Sequence, residues 1–309
     1  SNLMNLIVDS FPIGLKPTAF DYEITVTDLN KNQFNYVEKE VDPSKEFGAC
    51  YFLKRDAKGV PVLSNYFSSE NIFLHSSKYK NQSVRCYQFD NNIIAPPPFI
   101  QLSGSVNLGS ADSIYQIGFN ANGVSEINLK EALLILSNDR LNLDDNYFLY
   151  QVTELYPYFK TYTELILPLK YITSRDEFTL LKNSTNQKER FEKFWIELAG
   201  SKEIAKELIK EFYGRVKFAN SHFSSFKPGW KTDRGIMHII FGEPEIIDVS
   251  GKEIQWTYSN KFEARSSTFT FYLSLSNISN DFELVRNPLF KSGWYIAMET
   301  WRNGQVYQR

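Results

Sequence analysis

Apolar and polar residues alternate over residues 18–28, with Phe20, Tyr22, Ile24 and Val26 on one side and Asp21, Glu23, Thr25 and Thr27 on the other. A period of two marks a half-buried strand. Similar short segments predict strands at Phe34–Val41, Gly48–Arg55, Val62–Phe67, Asn71–His75 and Val84–Phe89. The turn Asp56-Ala57-Lys58-Gly59 is a hairpin signal between two of them. Ala95-Pro96-Pro97-Pro98 cannot join a strand ladder and reads as a stiff connector, with an SH3-type ligand as the other reading. Strand patterns resume at Ser113–Phe119, Glu131–Leu136, Tyr147–Glu154 and Thr161–Leu167.

Near residue 174 the period lengthens. Ser174 and Glu177 make a capping-box pattern that opens a short helix. Asn186 is placed to cap a second helix, with Phe191, Phe194, Trp195 and Leu198 at helical spacing before Gly200. A third starts near Ser201, with Ile204, Ala205, Leu208, Ile209, Phe212 and Val216 as its stripe. Strands are expected again at Gly235–Phe241, Glu253–Tyr258, Ser267–Leu275 and Phe282–Arg286. The pattern predicts a multidomain, mostly β chain of two immunoglobulin-like β-sandwich domains followed by an α+β domain. The expected units are a sandwich over 1–95, a second β-rich domain over 99–168 and the α+β domain over 169–309.

At 309 residues the chain has room for two or three domains, each with a sizeable core. Its 25 Phe and 18 Tyr reinforce the expectation of sheet structure. A net charge of −2 supplies no basic field, so nucleic acid is not an expected partner. No apolar run of about 18 residues is present, so no transmembrane segment is expected. The opening Ser1-Asn2 reads as a cloning remnant in place of a trimmed targeting segment. Cys50 and Cys86 are either two buried thiols or a bridge worth about 4 kcal/mol. Without a CxxC or a Cys/His cluster, neither a metal nor another cofactor is expected.

The most distinctive stretch is Pro228-Gly229-Trp230-Lys231-Thr232-Asp233-Arg234-Gly235, followed by Ile236-Met237-His238-Ile239-Ile240-Phe241-Gly242-Glu243-Pro244. Upstream lie Phe191–Trp195 and Phe212–Asn220. Downstream come Trp256-Thr257-Tyr258, Phe269-Thr270-Phe271, Leu284-Val285-Arg286 and Trp301-Arg302-Asn303-Gly304. Together these elements resemble the GWxTD domain family over about residues 168–309. The resemblance implies a protein of Gram-negative bacteria that is exported and periplasmic or outer-membrane-associated, with a possible lipid anchor outside this chain. It implies no substrate and no catalytic residues.

Two sets of residues are candidates for function. In the signature, Gly229 turns the chain to deliver Trp230, while Thr232 and Asp233 suit local backbone hydrogen bonds. Arg234 suits a planar pairing with Asp233 or another carboxylate, and Gly235 is expected to begin a strand. This loop is either a turn locked by its own bonds or the lining of a ligand cleft. Asp233 with His238 and His222 is the only local acid–base set, although His238 sits in an apolar run. The second set is a C-terminal aromatic surface of Trp294, Trp301 and Arg302, with Tyr295 and Tyr307, that would stack on sugars or a partner; the alternative is a core of large rings. The expected function is a non-enzymatic binding or assembly module for an envelope protein or glycan. A hydrolase-like enzyme with its site around the Gly-Trp-x-Thr-Asp loop is the alternative. Converging polar groups in a pocket beside Trp230 would favour the enzyme, and an apolar patch would favour assembly.

Overall fold

The computed structural model describes residues 20–28, 33–41, 52–60, 66–67, 71–89, 94–101, 110–128, 133–137, 147–153, 155–258, 267–274 and 281–307, the first two stretches as backbone only. The alternating segment at the start forms β1 (Phe20–Asp28), paired antiparallel with β2 (Gln33–Val41). Next come β3 (Leu53–Arg55), β4 (Tyr66–Phe67), β5 (Asn71–His75), β6 (Ser83–Phe89), β7 (Ser113–Gly118), β8 (Val124–Asn128), β9 (Leu133–Ser137) and β10 (Tyr147–Gln151). They build a five-stranded sheet in the order β4-β10-β9-β6-β7 and a three-stranded sheet in the order β3-β5-β8. All pairs are antiparallel except β4 with β10.

The two sheets face each other across one core. Ile72, Leu74 and Ile127 from the smaller sheet meet Val84, Cys86, Leu134, Leu136 and Leu149 from the larger. Cys86 is a free buried thiol that burial pushes up to about 12, whereas Cys50 lies outside the described residues. The larger sheet is also covered on its other face. Tyr87, Phe89, Leu133, Ile135 and Tyr150 pack there with Phe226, which lies 76 positions after Tyr150 in the helical part. Double cover explains why every residue of β9 is buried.

Strand pairing changes the expected domain layout. β6 from before the proline run pairs with β7 and β9 from after it, and β5 pairs with β8. Segments 1–95 and 99–168 therefore do not keep separate sheets. The turn at Asp56–Gly59 forms, with Asp56 Oδ1 accepting from the Lys58 and Val60 N–H groups. Among the described residues, β3 pairs with β5 and β4 with β10, and no hairpin between β3 and β4 is described. The expected strand positions 48–51 and 62–65 fall outside the described residues.

Six α-helices occur among the described residues. Thr161–Leu167, expected as a strand, instead carries α1 (Tyr162–Ile166), closed by a Thr161/Glu164 capping box. Its β-branched and aromatic composition hides that cap. The anticipated caps form at Ser174 for α2 (Arg175–Asn183), Asn186 for α3 (Gln187–Ala199) and Ser201 for α4 (Lys202–His222). The segment Gly235–Phe241, expected as a strand, belongs to α5 (Asp233–Phe241). Residues Gly235 to Phe241 are all buried, so the run shows no one-sided period and local pattern alone does not separate strand from helix.

A four-stranded antiparallel sheet then follows in the order β11 (Ile246–Ser250), β12 (Glu253–Tyr258), β13 (Ser267–Leu273), β14 (Phe282–Leu284). Helix α6 (Phe290–Arg302) ends the described fold and has no side-chain cap at its start. Trp294, Ala297 and Trp301 form its buried stripe. Trp301 meets Phe212 edge-on at 5.5 Å, and Phe212 meets Trp195 at 5.5 Å. Edge-to-face pairs of this kind contribute about 0.5–1.5 kcal/mol each beyond their burial.

Candidate functional site

The signature begins where α4 ends. Gly229–Lys231 makes one 3-10 turn against the last turn of α4. An added Cβ at Gly229 would lie 1.8 Å from the Ala219 carbonyl oxygen, and one at Gly235 would lie 1.8 Å from the Gly229 carbonyl oxygen. Both positions need glycine because backbone touches backbone. Thr232 is the N-cap of α5: its hydroxyl donates to the Gly229 carbonyl at 2.8 Å and accepts from the Gly235 N–H at 3.0 Å. The signature therefore opens a helix, and the expected strand start at Gly235 is replaced by a cap.

Trp230 is buried and tied at both backbone ends. Its N–H donates to Asn220 Oδ1 at 3.1 Å and its carbonyl accepts from the Tyr171 hydroxyl at 2.9 Å. The Asn220 amide in turn donates to the Pro157 carbonyl at 3.1 Å. Ser224 and Tyr156 share a hydroxyl hydrogen bond, and both accept from the Gly229 N–H. Polar groups from four segments thus converge beside Trp230, and they converge on one another.

Asp233 pairs with Arg286 and not with its neighbour Arg234. Arg286 donates from both terminal nitrogens to the Asp233 carboxylate, which also accepts from the Leu284 N–H at 2.9 Å. The two side chains are 6% and 7% exposed, so this is a buried ion pair. Burial lifts the Asp233 carboxyl above its usual value, while Arg286, Lys227 and the Leu284 N–H act against that lift. A second buried pair lies nearby, Lys227 with Asp281 at 3.2 Å. Arg234 lies over the rings of Phe223 and Phe282, and burial pulls its guanidinium down to about 10 against the opposing field of Asp281.

The proposed acid–base set does not assemble around Asp233. His238 and His222 instead stack on Phe218, at 4.4 and 4.0 Å between ring centroids. Burial, with Arg215 and His222 adding to it, holds His238 down at about 4, so it is neutral at pH 7.

The chain crosses the signature once more as a strap. The Ala95 N–H donates to the Lys231 carbonyl at 2.9 Å, the Pro96 carbonyl accepts from Arg286, and the Pro98 carbonyl accepts from the Asn287 N–H at 3.1 Å. The proline run is therefore docked on the C-terminal part. Beside it lies a groove of about 620 Å³ between the strap, residues 170–174 and α6. Pro96, Pro97 and Phe99 form one wall, and Trp294, Tyr295 and Met298 the other. Lys170, Ser174, Glu299 and Arg302 add polar groups.

The C-terminal aromatic candidates divide accordingly. Trp294 and Trp301 are 2% and 0% exposed, so they are core rings and do not form an exposed platform. Tyr307 is buried as well, and Tyr295 alone of the four aromatics is open to solvent. Trp294 and Arg302 nevertheless line the groove, while Trp301 donates from its indole nitrogen to the Ile240 carbonyl. Residues not singled out from the sequence as site candidates include Asn220, Tyr171 and Arg286. Two of them, Asn220 and Arg286, end motifs of the resemblance, which is the one signal that points to them.

A model of the GWxTD domain matches residues 132–303, more than half of the chain. The chain belongs to the GWxTD domain family. The matched span starts earlier than the expected residue 168 and takes in β9 and β10. The GWxTD unit thus contributes two strands to the five-stranded sheet, whose outer face it also covers through Phe226. No curated protein sequence is similar enough to be matched. Among the described residues no group of three or more His, Cys, Asp or Glu side chains is placed to hold a metal ion, and no helix is long and apolar enough to cross a membrane.

Proposed function

We propose that this GWxTD protein is a non-catalytic binding module of the Gram-negative envelope, and that its groove receives an extended segment of another envelope protein. The groove itself carries this reading. It combines proline and aromatic walls with a polar rim, the usual makeup of a site that takes apolar side chains and fixes their orientation. Tyr295 packs against Phe99 at 5.6 Å between ring centroids and is still 43% exposed, and Lys170 offers a cation to an acidic or terminal carboxylate. The two facing sheets, which share β9 and β10 with the matched unit, serve in this reading as an immunoglobulin-like spacer. In this reading the protein is exported, and the groove works outside the cytoplasm.

The hydrolase reading draws less support. Its acid would be Asp233, and that carboxylate already accepts from the Leu284 N–H and both terminal nitrogens of Arg286. Photocrosslinking in living cells tests the proposal. A photoreactive residue replacing Tyr295 should give a crosslinked envelope protein, while one replacing the exposed Tyr158, which lies outside the groove, should not. Identical products from both positions, or none from position 295, would overturn it. Release of the adduct by a glycosidase would move the ligand class to a glycan.

A further inference from the structure

The outer strand of the C-terminal sheet has an unusual surface. β11 pairs with β12 on one side, and among the described residues no strand pairs with its other edge. All five of its residues are exposed. Ile246, Ile247 and Val249 are 53%, 52% and 68% exposed. Register puts Ile247 opposite Trp256 and Val249 opposite Ile254, both on the buried face of β12. The cover over that face therefore stops at β12, and β11 carries the apolar pattern of the core out into water.

Exposed edges are ordinarily blunted by lysines, prolines or bulges. Here the only proline, Pro244, precedes the strand, and the strand and its lead-in are acidic: Glu243, Glu245 and Asp248, with Lys252 in the turn beyond. A second copy of the chain fits poorly in the register that pairs the whole of β11. Antiparallel pairing of two β11 strands about Asp248 sets that carboxylate opposite its twin, and like charges directly opposed destabilise a strand pair.

We propose that β11 is a strand-addition site for a partner protein, and that the partner's segment is extended, with Lys or Arg alternating with aliphatic residues. Backbone pairing supplies the affinity, Ile247 and Val249 supply apolar contact on one face, and Asp248, on the other face, selects a strand with basic residues there. This surface is separate from the groove, and the inference does not rest on the function proposed for that groove.

A synthetic peptide of alternating Lys and Val, compared with one of alternating Glu and Val, tests it on the whole chain by fluorescence anisotropy. The basic peptide should bind roughly tenfold tighter or better at low salt and lose that advantage in high salt. Binding should protect from hydrogen exchange those β11 amides that point away from β12. Val249→Lys, at an exposed position, should abolish binding with the melting temperature unchanged, while Tyr295→Ala should leave binding intact. Equal binding of the two peptides, or none, would overturn the proposal. So would unaltered binding by the Val249→Lys variant, or protection in the free chain of those β11 amides that point away from β12.

Discussion

The signature loop and the groove beside it lie within one hydrogen bond of each other and are built on opposite terms. In the loop, two glycines allow backbone contact, Trp230 is enclosed, and Asp233 is saturated by Arg286 and Leu284. Across the Tyr171 hydroxyl, which bonds the Trp230 carbonyl, the groove presents Tyr295, Met298 and Lys170 to solvent. The most recognisable residues of the chain thus serve as a joint between α4, α5, β14 and the proline strap. Open chemistry lies beside that joint, in Tyr295, Met298 and Lys170, which carry no motif. A short sequence signature can mark what a family needs for folding without marking where it acts.

The difference is open to measurement. Trp230→Ala should cost about 3–5 kcal/mol as a buried ring is lost. Asp233→Ala should cost about as much, because it leaves Arg286 buried without its counter-charge. Urea unfolding reads both, and Tyr295→Ala should stay within about 0.5 kcal/mol of the parent. Near-parental values for Trp230→Ala and Asp233→Ala would break the comparison, since the loop would then be no joint. A second large effect comes from pH. His238 titrates at about 4 in the folded chain against 6.5 when unfolded, so folding favours its neutral form. That contribution is complete above pH 6.5 and is lost as pH falls toward 4, on the order of 3 kcal/mol. The slope of unfolding free energy between pH 7 and 4 should flatten in His238→Gln.

Sequence reading reached some of this and not the rest, for identifiable reasons. The caps at Ser174, Asn186 and Ser201 were legible because a cap is an exchange between residues three apart. Helix α5 was misread because burial on all sides erases its period, and α6 passed unnoticed because Leu289 gives it no side-chain cap. The Asp233–Arg286 pair spans 53 positions, and no local rule joins them. Sheet assignment failed likewise, since β6 takes partners from beyond the proline run. The groove draws on three stretches, 94–99, 170–174 and 294–302, so no single window contains it.

A smaller effect refines the account of the joint. Thr232 both caps α5 and bonds the Gly229 carbonyl, so Thr232→Ala should cost about 1 kcal/mol and Thr232→Ser much less. A thermal melt of the pair separates loss of the hydroxyl from loss of the methyl. Equal losses in both would assign the position to packing and remove the cap from the joint.

The smallest effect concerns the rim of the groove, where Arg302 grips Glu177 with two hydrogen bonds and also donates to the Ile172 carbonyl at 3.0 Å. The Arg302 bonds hold the Glu177 carboxyl down at about 2, with the Ser174 N–H and hydroxyl helping. A depressed carboxyl stabilises the fold above its unfolded value of 4.5 and loses that contribution as pH falls toward 2. The two side chains are 30% and 37% exposed, so water screens the pair and its worth at pH 7 should stay below about 1 kcal/mol. Arg302→Gln should therefore unfold slightly earlier than the parent at pH 7, and the gap should narrow as pH falls toward 2. Crosslinking from position 295 should survive the change if the rim only orients the ligand. A loss as large as that of Trp230→Ala would make the rim part of the same rigid frame, and the contrast between a closed joint and an open groove would fail there.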